Sequence, residues 1–137
     1  MPTKMLVMVK RKIGLTPEEF RHGYENYHSR LGVKLFGHLW AEYRRNYIGG
    51  GHCFFQRGQG SPDGPDEIGF DAISEVVFKD DNALVEMAKI SAANRDRIVE
   101  DESRWFHQKR SWMVTVETME EDLAPRWALG APELPKA

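Results

Sequence analysis

The chain has 137 residues, 41% hydrophobic and 29% charged, with 19 Lys and Arg against 21 Asp and Glu and one cysteine. That length points to one domain, since two would each have too little interior. The formal charge of −2 withholds the basic face that nucleic-acid binding needs, lone Cys53 allows neither an internal disulfide nor a cysteine-based zinc cluster, and no apolar run nears the roughly 20 residues of a membrane span.

The opening MPTKMLVMVKRK has a short apolar run, Met5 to Val9, and then basic residues, which is not the order of a secretory leader. A cytoplasmic protein without a membrane or nucleic-acid partner is therefore expected. Met5 to Lys12 reads as a first strand. A helix starts behind it: Thr16 can cap, Pro17 suits the first turn, and Glu19 can complete a capping box. It should run to about Phe36, with Phe20, Tyr24, Tyr27, Leu31 and Leu35 as its buried stripe, and stop at Gly37. Leu39 to Ile48 fits strand two, with Tyr43, Arg45 and Tyr47 on one face and Arg44, Asn46 and Ile48 on the other. Residues 58–69, rich in Gly, Pro and acids, read as a surface loop.

Strand three spans Phe70 to Phe78, with Phe70, Ala72, Ser74, Val76 and Phe78 toward a core. A helix opens at Asp80 and runs to about Ile90 with Ala83, Leu84, Met87 and Ala88 inward; a charged helical stretch follows from about Ala92 to Phe106. Ser111 to Thr118 is strand four. Residues 1–118 thus form one domain, and 119–137, with Pro125, Pro132 and Pro135, a tail. The order β-α-β-β-α-β is the ferredoxin-like plan, an α+β fold with its helices on one face of the sheet. Strands one and four carry apolar residues on both faces, so the uncovered face calls for a partner, most simply a second copy in a homodimer.

Among the histidines, His22 and His28 are out of phase on the helix, which argues against a metal pair, and His38 and His52 read as loop residues. His28, one turn after Tyr24, sits beside the apolar stripe; His107, after Trp105-Phe106, either lines a cavity or ends a helix. Asp71 and Glu75 share a strand face about 13 Å apart, too far for a shared proton. Each would need an ionic partner, with Arg44 or Arg45 as candidates. Asp101-Glu102 reads as a polar helix face. Phosphate-loop, nucleophile-elbow and paired metal-ligand motifs are missing from the sequence, so any catalysis is expected to need no metal or cofactor and to be acid–base in kind.

Lys10-Arg11-Lys12 with Gly14-Leu15-Thr16-Pro17-Glu18-Glu19-Phe20, then Tyr24-Glu25-Asn26-Tyr27-His28, resembles the EthD-like family of dimeric α+β barrel proteins. So do Tyr43 to Ile48, Phe70 to Phe78, and Asp101-Glu102 before Trp105-Phe106. The resemblance implies a barrel of two sheets, and activities that include decarboxylases and cyclase- or dehydratase-like proteins acting on polyphenolic polyketides. Other members accompany ether-degrading oxygenases, and related muconolactone isomerases work without metal or cofactor. It also implies a pocket with Tyr24, His28, Tyr43, Asn46 and Asp71.

The expected function is a cofactor-independent lyase or isomerase acting on a hydroxylated aromatic or polyketide-like molecule. His28 would move the proton, with Tyr43 and Asp71 beside it as catalytic candidates; Tyr24, Trp40, Asn46, Trp105, Phe106 and His107 would bind substrate. The alternatives are a non-catalytic small-molecule carrier accessory to an oxygenase, and a haem-handling protein with iron on His28 or His107.

Overall fold

Apolar alternation along four short segments builds a single antiparallel sheet in the computed structural model, which describes residues 3–54, 64–126 and 130–136. Strands β1 (Lys4–Val9), β2 (Trp40–Tyr47), β3 (Ala72–Phe78) and β4 (Trp112–Val116) stand in the order β2-β3-β1-β4. All neighbours are antiparallel, the order of a ferredoxin-like sheet. The alternation expected for β3 holds: Ala72, Ser74, Val76 and Phe78 are all buried. Several strand ends come earlier or later than the sequence suggests. β1 stops at Val9 because Lys10 and Arg11 turn to meet Asp71, and Arg11 makes only an isolated bridge to Phe106.

The long helix begins as its residues require. Thr16 Oγ1 accepts from the Glu19 N–H at 3.1 Å, and Glu19 Oε1 accepts from the Thr16 N–H at 3.0 Å. It runs through α1 (Pro17–Gly23), a π-helical turn (Tyr24–His28) and α2 (Ser29–Phe36), with Gly37 at its C-terminal cap. In the π turn the Ser29 N–H bonds to the Tyr24 carbonyl five residues back. The wider turn shifts the downstream face by one residue. Tyr27, expected in the buried stripe, is instead 56% exposed, and His28 takes the inward position.

α3 (Pro65–Ile68) is a single turn; residues 58–63 of the expected loop lie outside the described residues. Helix α4 (Asp81–Ala93) is capped by the Asp80 carboxylate, which accepts from the Ala83 N–H at 2.9 Å. Ala83 and Met87 are buried, whereas Leu84 and Ala88, also expected inward, are exposed. They stand one residue, about 100°, round the helix from the buried pair. Asn94 ends α4, its side chain donating to the Ile90 carbonyl at 2.9 Å, and α5 (Arg95–Trp105) follows at once. A short helix, α6 (Leu123–Arg126), lies beyond β4. Among the described residues no helix is long and apolar enough to cross a membrane.

Two apolar clusters fill the space between helices and sheet. One gathers Met5, Phe36, Leu39, Val76, Phe78, Ala83 and Met87; the other gathers Val9, Phe20, Tyr24, Ala72 and Phe106. Val7 packs against both. The clusters do not close on each other completely, and the gap is the candidate site.

Candidate active site

The gap is a cavity of about 380 Å³ between the sheet and the long helix. Met5, Val7, Tyr43, Ser74 and Val76 form its floor, and Tyr24, His28, Leu31, Leu35 and Phe36 its roof. Trp40, Glu102, Phe106 and Met113 add further wall. Most of that surface is hydrocarbon or ring, which suits a flat apolar ligand held by a few polar contacts.

Two backbone irregularities bring the key side chains here. The π turn swings His28 inward, as described above. In β2 a bulge falls between Trp40 and Glu42. Residues 40 and 43 would point to opposite faces of a regular strand, yet the extra residue lets both rings line the cavity, with centroids 4.9 Å apart. Beyond the bulge the alternation resumes, and Tyr43, Arg45 and Tyr47 share the inner side as expected.

His28 Nδ1 lies 2.5 Å from Asp101 Oδ2. A carboxylate in that place accepts from Nδ1–H, fixes the tautomer, and leaves Nε2 as the nitrogen free to exchange a proton with a cavity molecule. The imidazole is held edge-on to Tyr24 (4.9 Å, 74°) and against Phe106 (4.6 Å, 58°). Tyr24 hydroxyl and Ser74 Oγ share a buried hydrogen bond of 2.6 Å. Burial pushes the Tyr24 phenol far up, so it stays protonated, and burial raises Tyr43 as well. The Arg45 guanidinium lies 4.9 Å from the Tyr43 ring centroid, behind the cavity wall. Glu102 is the carboxyl in the lining; burial raises its pKa, against the opposing pull of His28.

Arg45 is itself fixed by Glu25, whose carboxylate accepts from Arg45 Nη2 at 2.8 Å and also from Arg45 Nε and the Tyr47 hydroxyl. The Arg45 hydrogen bond is the main reason the Glu25 carboxyl falls to about 2, with burial opposing and Tyr47 helping. A carboxyl depressed in the folded state stabilises the fold above its unfolded pKa, and that contribution fades as pH falls toward the folded value. Glu25→Gln should therefore flatten the loss of stability between pH about 4.5 and about 2, measured by urea unfolding at a series of acid pH values. An unchanged acid slope would refute this assignment.

Of the residues expected at the site, His28, Tyr24, Tyr43, Trp40 and Phe106 line the cavity. Four others stand elsewhere. Asp71 is buried outside the cavity, accepting from the Arg11 N–H at 2.9 Å and paired with the Arg11 guanidinium and Lys10 Nζ. It ties the segment after β1 to the start of β3. Asn46 is on the outer face of the sheet, its amide donating to the Ile73 carbonyl at 2.9 Å. Trp105 stacks on Tyr27 at 5.6 Å and 14°, across the helix surface. His107 starts a short turn, and its backbone N–H donates to the Lys10 carbonyl at 2.7 Å.

The ion partners also differ from expectation. Arg44 pairs with Glu42 and Arg45 with Glu25, while Glu75 pairs with Lys4 at 2.9 Å.

Sequence reasoning missed Asp101, Glu102 and Ser74 as site residues. A signal for Glu102 did exist: Ile98, Glu102 and Phe106 recur at four-residue steps, so a carboxyl interrupts an apolar stripe. Asp101 carried none, because its partner lies 73 residues earlier.

Residues 12–109 match the family model described as EthD domain. No curated protein sequence matches the chain significantly. The fold is similar to that of an ethyl tert-butyl ether D (EthD) family protein from Bacillus halodurans C-125, with a TM-score of 0.56 and 16% identity over 87% of this chain and 100% of that one. An EthD-like protein from Ralstonia eutropha JMP134 gives 0.54 and 16%, over 83% and 86% of the two chains. A protein from Arabidopsis thaliana gives 0.51 and 14%, over 89% and 100%. Likeness at such identities speaks to the fold alone.

Proposed function

This chain belongs to the EthD family, and from that premise and the chemistry of its cavity we propose a cofactor-independent lyase or isomerase that acts on a hydroxylated aromatic or polyketide-like molecule. One observation carries it: His28, bonded through Nδ1 to Asp101, stands in the wall of a mainly apolar cavity. A histidine oriented by a carboxylate and shielded from bulk water is the arrangement of a general acid–base.

For a decarboxylation, His28 would protonate the carbon that loses carbon dioxide. For a dehydration, ring closure or isomerisation, it would remove a proton from carbon next to a carbonyl. Tyr43, whose pKa burial raises and whose hydroxyl also meets Tyr24 and Arg45, is the phenol in the lining placed to donate to the oxygen on which negative charge develops. Tyr24 in the roof and Ser74 in the floor are tied by their mutual hydrogen bond, and Trp40 and Phe106 supply flat walls.

The functional unit in this proposal is a homodimer. Met8 pairs with Ile73 on one side and Trp112 on the other, and Leu6 pairs with Val114, so these residues form one apolar patch on the sheet face away from the helices. Trp112 is 60% exposed there. Such a patch is the kind of surface that a second copy covers. Trp112→Glu should convert a species of twice the 15.8 kDa chain mass into monomers, read by size exclusion with light scattering. A wild-type monomer would overturn the dimer.

The reaction is tested by incubating the protein with hydroxylated aromatic acids, aryl ketones and β-keto acids. Mass spectrometry would follow loss of carbon dioxide or water, and chromatography would follow isomers. Product that depends on His28 supports the proposal; binding without conversion would assign the cavity to a carrier.

A further inference from the structure

Glu102 sits in the wall of the same cavity as His28, and the two belong to different elements, α5 and the π turn. We infer that Glu102 is a second proton-handling residue, the donor that complements His28, and that the cavity, whose described lining holds this carboxyl and neither Lys nor Arg, selects uncharged carbonyl substrates over carboxylates. This inference rests on the acid–base reading of His28 given above.

Among the described residues lining the cavity there is no Lys or Arg. To the described lining of the cavity α4 contributes Met87 and Ser91, β4 contributes Met113, and the sheet floor includes the phenol of Tyr43. The groups bearing on its charge are His28 and, on its own helix, Asp101; the Gln108 side chain adds a hydrogen bond. Burial, the largest influence, raises the Glu102 pKa and the nearby Asp101 adds to it, while His28 and the Gln108 hydrogen bond oppose them. Two proton-carrying side chains that face one space from separate elements are placed to act as an acid and base pair.

The step balances without any outside reagent. His28 Nε2 takes a proton from the carbon beside the substrate carbonyl, and that C–H electron pair becomes the C=C bond of an enol. The carbonyl π pair moves onto oxygen, which receives the proton of the Glu102 carboxyl. A neutral ketone becomes a neutral enol, and the protein is left with an imidazolium and a carboxylate that compensate each other. Proton return at a second carbon gives an isomer, and expulsion of a β-hydroxyl as water gives a dehydration. A carboxylate substrate would instead bring its negative charge into a space whose described lining has no Lys or Arg and already holds an acidic side chain.

The probes are 1-hydroxy-2-acetonaphthone, which is neutral, and 1-hydroxy-2-naphthoate, an anion of similar size. At pH 7.5 the wild-type protein should bind the ketone at least about ten-fold more tightly, since a buried uncompensated charge is strongly disfavoured. It should also speed deuterium uptake at the ketone methyl group in heavy water. Glu102→Gln, whose folding is checked by its melting curve, should lose most of that exchange at near-unchanged ketone affinity, and Glu102→Asp should retain part of it. Equal affinity of the two probes for wild type would overturn the selectivity. Wild-type exchange by Glu102→Gln would overturn the proton role while leaving His28 in place. Loss of exchange in neither Glu102→Gln nor His28→Gln, or no binding of either probe, would remove the acid–base reading itself and the inference with it.

Discussion

Replacing His28 by glutamine should lower turnover of the substrate by about 10²–10⁴-fold, the usual contribution of one general acid–base group, while the melting curve and ligand affinity change little. Glutamine keeps a donor for the Asp101 carboxylate but cannot exchange a proton near neutral pH. His28→Ala removes both functions and leaves Asp101, at 13% side-chain exposure, without its hydrogen-bond donor, so it should lose stability as well as activity. Asp101→Asn separates orientation from charge. An amide can present its NH2 to Nδ1 and so stabilise the tautomer with the proton on Nε2, which disables the base. A large drop in kcat with a small change in KM is the expected pattern. Unchanged kcat in His28→Gln would sink the lyase or isomerase proposal. Intact binding with no wild-type conversion of any panel compound would leave a carrier.

The largest stability effect away from the site is expected at Gly23. A Cβ there would lie 2.1 Å from Trp105 Cε3 and 2.2 Å from Cζ3, far inside the separation of about 3.5 Å at which carbon atoms rest. Trp105 has nowhere easy to go, because its other face stacks on Tyr27. Gly23→Ala should therefore destabilise by about 1–3 kcal/mol, as overpacking does, despite the better helix propensity of alanine. Urea unfolding gives the value. Trp105→Leu in the same chain should relieve part of it, and the coupling from the double-mutant cycle should exceed about 0.5 kcal/mol. A stabilised Gly23→Ala would mean that the helix and α5 are not in this contact.

Much of this fold could be read from local residue chemistry. Thr16, Pro17 and Glu19 mark the helix start through contacts within three residues of each other, and all of them form. The alternation of β3 and the ferredoxin-like order follow from patterns of similar range. The site was only half legible. His28, Tyr24 and Tyr43 stand out as residue types, but a regular helix would turn Tyr27 inward beside Tyr24. A π turn has no reliable sequence signature, and neither has the Trp40–Glu42 bulge. Asp71 looked like site chemistry on its strand, yet its cations, Lys10 and Arg11, sit about sixty residues away in the chain. The charged sequence of α5 read as a solvent face and hid the carboxyl it turns inward. What the sequence concealed was in each case a partner far along the chain or a departure from regular geometry.

The π turn and the bulge have a bearing on how this protein can change over generations. Both are properties of the main chain, and between them they aim His28, Trp40 and Tyr43 at one point. Leu31, Leu35, Val7, Ile98 and Met113 contribute only bulk to the wall. Exchanging those five would reshape the chamber while His28, Trp40 and Tyr43 kept their positions. Selection can thus tune which molecule fits without moving those three side chains, and a lineage built on this backbone can diversify its ligands through single substitutions.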